Sequence, residues 1–305
     1  MMKSTTFENW LKKRKEKVRP TSKRTYQSYV RKHLMPYFKS ILLEKITQKM
    51  IRSFKKYLKK KKGLSAKTIR DILSHLGKIL KDAEQAGYHT CSQVPRVKIK
   101  EADHTILGLK AQMKLSVKLK ESQDSKNMAV WLALNSGLRL GEVLGLSQGD
   151  IDLEAGVLHV RKNLQRVPLE NCKGTTLKRV PPKTKKSRRD IPLNNEMKSV
   201  LEDYMQMLKI DVNAPLFSNK MGKPINPRTL QQHFNRLKEK YHLDPNLTFH
   251  SLRHSFATRA MEKGVEPRAL SEILGHSTVN FTLQSYGNCV NEHKRQQMEK
   301  LSDLV

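Results

Sequence analysis

The chain has 305 residues, of which 60 are Lys or Arg and 28 Asp or Glu, giving a formal net charge of +32. That length predicts about two domains, each able to bury a core. No apolar run approaches the length of a membrane span and the N-terminus lacks a leader pattern, so the sequence reads as neither membrane-spanning nor secreted. Three scattered cysteines, Cys91, Cys172 and Cys289, argue against a disulfide framework or a Cys-type zinc site and point to a reducing, cytoplasmic compartment. So large a positive excess repels itself unless a polyanion neutralises it, which implies a nucleic acid or an anionic surface as partner.

The charge is uneven: residues 1–100 carry a net +22 and residues 101–305 a net +10. In the first portion, Ser22 is expected to cap a helix with Tyr26, Tyr29, Val30, His33 and Leu34 on one face. Thr47 caps a second, with Met50, Ile51, Phe54 and Leu58 inward and Gly63 as its stop, and Lys59–Lys62 close it. Ser65 precedes the clearest amphipathic helix, Ile69 to Leu80, ending near Gly87. This portion reads as a basic four-helix bundle with more charge than solubility needs, which favours contact with a DNA backbone. The aperiodic stretch Val94–His104 is the linker.

Beyond it, Met128–Ser136 (MAVWLALNS) predicts a buried helix ending at Gly137. Gly156–Val167 and Arg188–Leu193 read as two strands of a small sheet, with PPKTKKS as the turn between them. Helical patterns follow at about 196–210, 227–240, 251–264 and 267–275. Phosphate-loop, dinucleotide-binding, nucleophile-elbow and zinc-peptidase motifs are all absent from the sequence. What remains is basic and hydroxyl chemistry at element edges. Arg139 sits at a glycine-flanked junction (NSGLRLGEVLGL) ahead of Glu142, an arrangement that a structural Arg–Glu pair also explains. His250, Arg253 and His254 (LTFHSLRHS) share one face at a helix start, a surface suited to an anion. His276 follows in LGH, with Tyr286 ten residues later.

Taken in order, GLRLGE at Arg139, PPKTKKSRRDIPL at Lys183, HSLRH at His250 and Arg253, LGHS at His276 and QSY at Tyr286 resemble the tyrosine recombinase (phage integrase) family. The resemblance covers nearly the whole chain. It implies a mainly α fold with a small antiparallel β-sheet, in two domains: a SAM-like, four-helix, basic core-binding domain (1–95), a linker (96–103) and a mixed α+β catalytic domain (104–290). A tail (291–305) follows, whose Met298, Leu301 and Leu304 form a short apolar strip expected to contact a neighbouring protomer. Many family members carry an arm-site DNA-binding domain ahead of this region, so the sequence reads as a simpler recombinase or a shortened form.

The implied activity is site-specific cutting and rejoining of double-stranded DNA, for integration or excision of a mobile element. Tyr286 would be the nucleophile, Arg139 and Arg253 the donors to the phosphate, His250 the proton acceptor or relay, and His276 a hydrogen-bond donor. Lys183 would be the general acid, aligning better than Lys185 or Lys186. A 3′-phosphotyrosyl intermediate keeps the energy of the broken phosphodiester, so neither ATP nor a metal is expected. The expected partners are DNA sites, a homo-oligomer, as a tetramer on two sites, and DNA-bending accessory proteins, with no membrane. A type IB topoisomerase uses a similar residue set, and a noncatalytic basic DNA-binding protein explains the charge but not the ordered histidines and tyrosine.

Overall fold

The computed structural model describes residues 4–14, 20–99, 105–122, 124–169, 174–182, 187–209, 211–276 and 278–286. The chain divides into two compact units. The first comprises Met1–Ala102 together with Val167–Thr175, and the second comprises Asp103–Arg166 and Thr176–Val305.

The first unit is helical. In α1 (Phe7–Lys13), Thr6 caps the start by accepting from the Asn9 N–H, and Phe7 and Trp10 turn inward. A continuous helical run follows: α2 (Pro20–Tyr29), a wide π turn over Val30–Leu34, and α3 (Met35–Phe38). The expected cap at Ser22 is a correction, because Pro20 already begins α2 and Ser22 lies inside it. Pro36 accounts for the π turn: with no N–H it cannot continue the ordinary ladder, and the Met35 N–H reaches back five residues to the Val30 carbonyl.

Thr47 and Ser65 cap α4 (Gln48–Lys60) and α5 (Ala66–Gln85), each hydroxyl accepting the N–H three residues on at 3.3 Å. The apolar stripes of both helices meet in one core, in which Phe38 and Phe54 pack edge to face at 4.9 Å. The Trp10 indole donates to the Ile79 carbonyl at 3.1 Å and Arg14 pairs with Asp82 at 2.6 Å, so α1 is locked onto α5. Val94 and Val97 also pack against this core.

The second unit is built around α7 (Ser125–Ser136), capped by Asp124 and buried from Met128 to Leu134. An apolar sequence of this kind forms a helix only when covered on all sides. The cover comes from α6 (Leu109–Lys120), α10 (Pro227–Lys240) and α11 (Phe249–Glu262). The short α8 (Leu140–Val143) follows α7 directly. The strands are β1 (Ile151–Asp152), β2 (Val157–Val160), β3 (Asn163–Pro168), β4 (Thr175–Val180) and β5 (Arg189–Pro192).

A three-stranded antiparallel sheet has the order β1-β2-β5, with Leu158 opposite Ile191 and Val160 opposite Arg189. β3 and β4 pair separately. This corrects the single expected sheet: the 156–167 run breaks at Arg161–Lys162 into two strands with different partners and β4 was not expected, while the lysines of the expected turn, in sequence between β4 and β5, lie outside the described residues. After the strands come α9 (Asn195–Gln206), α10, α11, α12 (Pro267–Leu274) and α13 (Val279–Tyr286). No helix among the described residues is long and apolar enough to cross a membrane.

Candidate active site

The site forms where the C-terminal end of α7, the start of β5, the middle of α11 and the end of α12 come together. Gly137 ends α7 in the left-handed conformation (φ 65°), and a Cβ there would lie 2.6 Å from the Phe256 ring and 2.7 Å from Leu274. Only glycine allows both the turn and that approach, and the turn delivers Arg139.

Three guanidiniums gather on the last carbonyls of α12, which carry the partial negative charge of a helix C-terminus and have no partner within the helix. Arg253, only 2% exposed, donates to the Gly137 carbonyl at 2.7 Å and the Leu274 carbonyl at 2.8 Å. Arg189 donates from Nε to the Ile273 carbonyl at 2.5 Å. Arg139 reaches the Leu274 and Gly275 carbonyls at 3.4 Å.

A single carboxylate joins two of these cations. Glu142, 3% exposed, accepts the Arg139 backbone N–H at 2.9 Å and its guanidinium at 2.8 Å, and takes two donors from Arg189 at 2.9 and 3.2 Å. Burial alone would push its carboxyl up, but the charge and hydrogen bonds of Arg189, then of Arg139, outweigh that and hold it at about 2. The structural Arg–Glu pair and the cluster are therefore parts of one network.

His276 is buried at the edge of this cluster, its Nδ1 2.7 Å from the Thr282 hydroxyl. Desolvation, followed by the charges of Arg253, Arg139 and Arg189, lowers its pKa to about 3, so the ring is neutral at physiological pH. When the Thr282 hydroxyl donates to Nδ1, the neutral ring carries its proton on Nε2 and offers a donor there. His250 sits exposed in the first turn of α11, its ring edge to face with His254 at 4.6 Å. The field of His254 in turn acts on His276.

Arg139, Arg253 and His276 are thus brought together, and His250 packs against His254, the histidine whose charge reaches His276. Lys183, with Lys185 and Lys186, lies outside the described residues, as does the 291–305 tail. Tyr286 is the last residue of α13, one helical turn beyond Thr282. Sequence reasoning missed Arg189 and Thr282. The signal for Arg189 was an arginine at the inward position of RDIP, where strand alternation places it on the face shared with buried Ile191. Among the described residues no group of three or more His, Cys, Asp or Glu is placed to hold a metal ion.

A second surface lies on the first unit. Exposed Lys49, Arg52, Lys56 and Lys60 run along one stripe of α4, and Lys67, Arg70, Lys78 and Lys81 along one stripe of α5, each opposite that helix's buried stripe.

The phage integrase family matches residues 110–293 and the phage integrase SAM-like domain residues 4–100. The chain belongs to the phage integrase family, whose members include the tyrosine recombinases. It is 31% identical over 189 residues to a XerC-like tyrosine recombinase of Caldanaerobacter subterraneus subsp. tengcongensis, an alignment that covers 57% of this chain but 48% of that protein. The chain therefore spans about half the length of that relative. It is 26% identical over 295 residues to the ICEBs1 integrase of Bacillus subtilis, covering 92% of this chain and 77% of that one. The Tn1549 transposon integrase, solved in complex with a circular intermediate DNA, matches with a TM-score of 0.79 and 25% identity over 97% of this chain and 99% of that one.

Proposed function

We propose that the protein is a tyrosine-type site-specific DNA recombinase that integrates or excises a mobile element. The observation that carries this reading is the convergence of Arg139, Arg253 and a neutral, buried His276 at the end of α12, immediately ahead of the helix that ends in Tyr286. Three fixed donors at one point suit the nonbridging oxygens of a phosphodiester, because a pentacoordinate transition state gathers its charge there.

In the proposed step the Tyr286 oxygen attacks phosphorus, the bond from phosphorus to the 5′-oxygen breaks, and a 3′-phosphotyrosyl bond forms. His250 takes the phenolic proton and Lys183 delivers one to the departing 5′-oxygen. A 5′-hydroxyl from the partner site then attacks the phosphotyrosine and releases Tyr286, so strands exchange through a Holliday junction. The energy of the broken bond is held in the intermediate, and the reaction consumes no ATP and requires no metal.

The two basic stripes on α4 and α5 supply contacts to the DNA backbone. Exchange between two sites calls for a homo-oligomer, a tetramer on two DNA sites, with the 291–305 tail as a contact between protomers and DNA-bending proteins as helpers. The setting is the bacterial cytoplasm, at the nucleoid. The reading is tested with Tyr286→Phe on a suicide substrate: the variant should bind its site normally and give no adduct that survives SDS. A stable adduct from the Phe variant would move the nucleophile elsewhere.

A further inference from the structure

Arg189 has no role in the transfer steps above, yet it is a buried cation that donates four hydrogen bonds. Two run to Glu142, one to the Ile273 carbonyl and one to the Ser187 carbonyl at 3.3 Å. Solubility does not account for a buried guanidinium, and folding alone is served as well by an apolar side chain of similar volume. Its bonds are also specific in direction. The fork holds both oxygens of Glu142, and Glu142 in turn grips Arg139 at the backbone N–H and the guanidinium. The Nε bond fixes the end of α12 two residues before Gly275, whose left-handed φ of 66° turns the chain towards His276. A Cβ on Gly275 would meet the Arg189 guanidinium at 3.0 Å, so the loop and the arginine are packed directly on each other.

We propose that Arg189 is a positioning residue: through Glu142 it sets the orientation of the Arg139 guanidinium, and through the Ile273 carbonyl it sets the place of the His276 loop, without touching the phosphate itself. The inference rests on the recombinase reading. Arg139 is 37% exposed at its side chain, and a long side chain that exposed is oriented only by what holds its other face. Here the shortest hold is a carboxylate fixed from behind by Arg189, at 2.8 Å against 3.4 Å for the Leu274 and Gly275 carbonyls. Removing Arg189 leaves Glu142 free to turn and Arg139 free to follow, and a displacement of about 1 Å at a phosphate donor costs on the order of 100-fold in rate.

The experiment compares single-turnover cleavage by the full chain on three substrates: the ordinary phosphodiester, a neutral methylphosphonate at the scissile position, and a 5′-phosphorothiolate whose leaving group needs no proton. Adduct formation by the unmodified protein on the phosphodiester comes first, and its absence would refute the recombinase reading rather than this inference. Arg189→Met should bind DNA normally and cleave the phosphodiester on the order of 100-fold more slowly. Most of that loss should disappear on the methylphosphonate, in parallel with Arg139→Met, because the neutral phosphorus no longer requires a precisely held cation. Arg189→Lys, which keeps the charge but not the fork, should recover part of the rate, and it serves for the same comparison should the Met variant fold poorly. Equal losses on all three substrates would reduce Arg189 to a scaffold residue and overturn the proposal. Recovery on the phosphorothiolate instead would show that Arg189 acts on the general-acid step, and an unchanged rate would show that it positions nothing.

Discussion

Glu142 offers the most direct physical test of the cluster, because one buried carboxylate holds two arginines. Its pKa falls from 4.5 to about 2 on folding. At roughly 1.4 kcal/mol per unit, that depression contributes about 3 kcal/mol of stability at neutral pH. A group whose pKa is depressed in the folded state contributes stability present above its unfolded pKa and lost as pH falls through its folded one, so this contribution should vanish between about pH 4.5 and 2. Glu142→Gln removes the titration and leaves the Arg189 charge, 6% exposed at its side chain, without its counter-charge. The expected cost at pH 7 is about 3–5 kcal/mol. The measurement is urea unfolding followed by Trp131 fluorescence with Trp10 replaced by Phe, since the chain has two tryptophans and Trp131 is the one buried in the second unit. The stability gap between the native residue and Gln should be largest at pH 7 and narrow by about 3 kcal/mol on reaching pH 2. Parallel pH curves, or a Gln variant as stable as the native chain at pH 7, would refute the reasoning.

Three further outcomes follow from the site and the charge pattern. Lys183→Ala should regain cleavage on a 5′-phosphorothiolate substrate; rescue of Lys185→Ala or Lys186→Ala instead would reassign the general acid, and rescue of none would remove that role. DNA affinity should fall with a log–log salt slope of magnitude about 6 or more if roughly seven phosphates are neutralised, while EDTA leaves cleavage unchanged; a slope near 2 would place most of the charge away from DNA. Because protonation of His276 is disfavoured in the folded chain, its contribution to stability is intact above about pH 6.5 and declines as pH falls towards 3. Its ring resonance should accordingly show no titration between pH 5 and 8, and a midpoint near 6 would contradict the burial argument.

Most of the helical framework was legible because its signals are local. Thr47, Ser65 and Gly137 each mark a boundary with their own side chain or backbone freedom, and an apolar period fills the span between cap and stop. Ser22 misled for the same reason: it is a good cap residue, but Pro20 two positions earlier already supplies a helix start. The sheet was misread because its pairing is not local. Arg161, at the break between β2 and β3, donates to the Arg189 carbonyl at 3.0 Å and pairs with Asp190 at 2.5 Å, and nothing near residue 161 announces a partner 28 residues away. Ordered motifs singled out Arg139, Arg253 and His276. Arg189 escaped because its meaning lies in Glu142 and Ile273, 47 and 84 residues distant, and a lysine- and arginine-rich sequence looks like solvated charge until Arg189 in the strand that follows is seen to face inward.

The charge count of the cluster bears on how such a site distinguishes a transition state from its substrate. Arg139, Arg189 and Arg253 contribute three positive charges and Glu142 one negative, so these four side chains together carry +2. A bound phosphodiester brings one negative charge, whereas the pentacoordinate state reached by phenoxide attack gathers nearly two. In the proposed step the ground state would therefore leave one positive charge of these four side chains uncompensated, and the transition state would come close to matching them. The excess is already felt in the free protein, since those arginines are among the groups that hold His276 neutral. Rotation of Arg139 and Arg253, the proposed phosphate donors, to meet the developing charge is also unnecessary, and Arg189 holds their surroundings in place. Arg189 and Arg253 are fixed on α12 carbonyls at 2.5 to 2.8 Å, and Arg139 is held by Glu142 at 2.8 Å. Stabilisation that requires no reorganisation and is completed only in the transition state is the kind that raises the rate rather than merely the affinity.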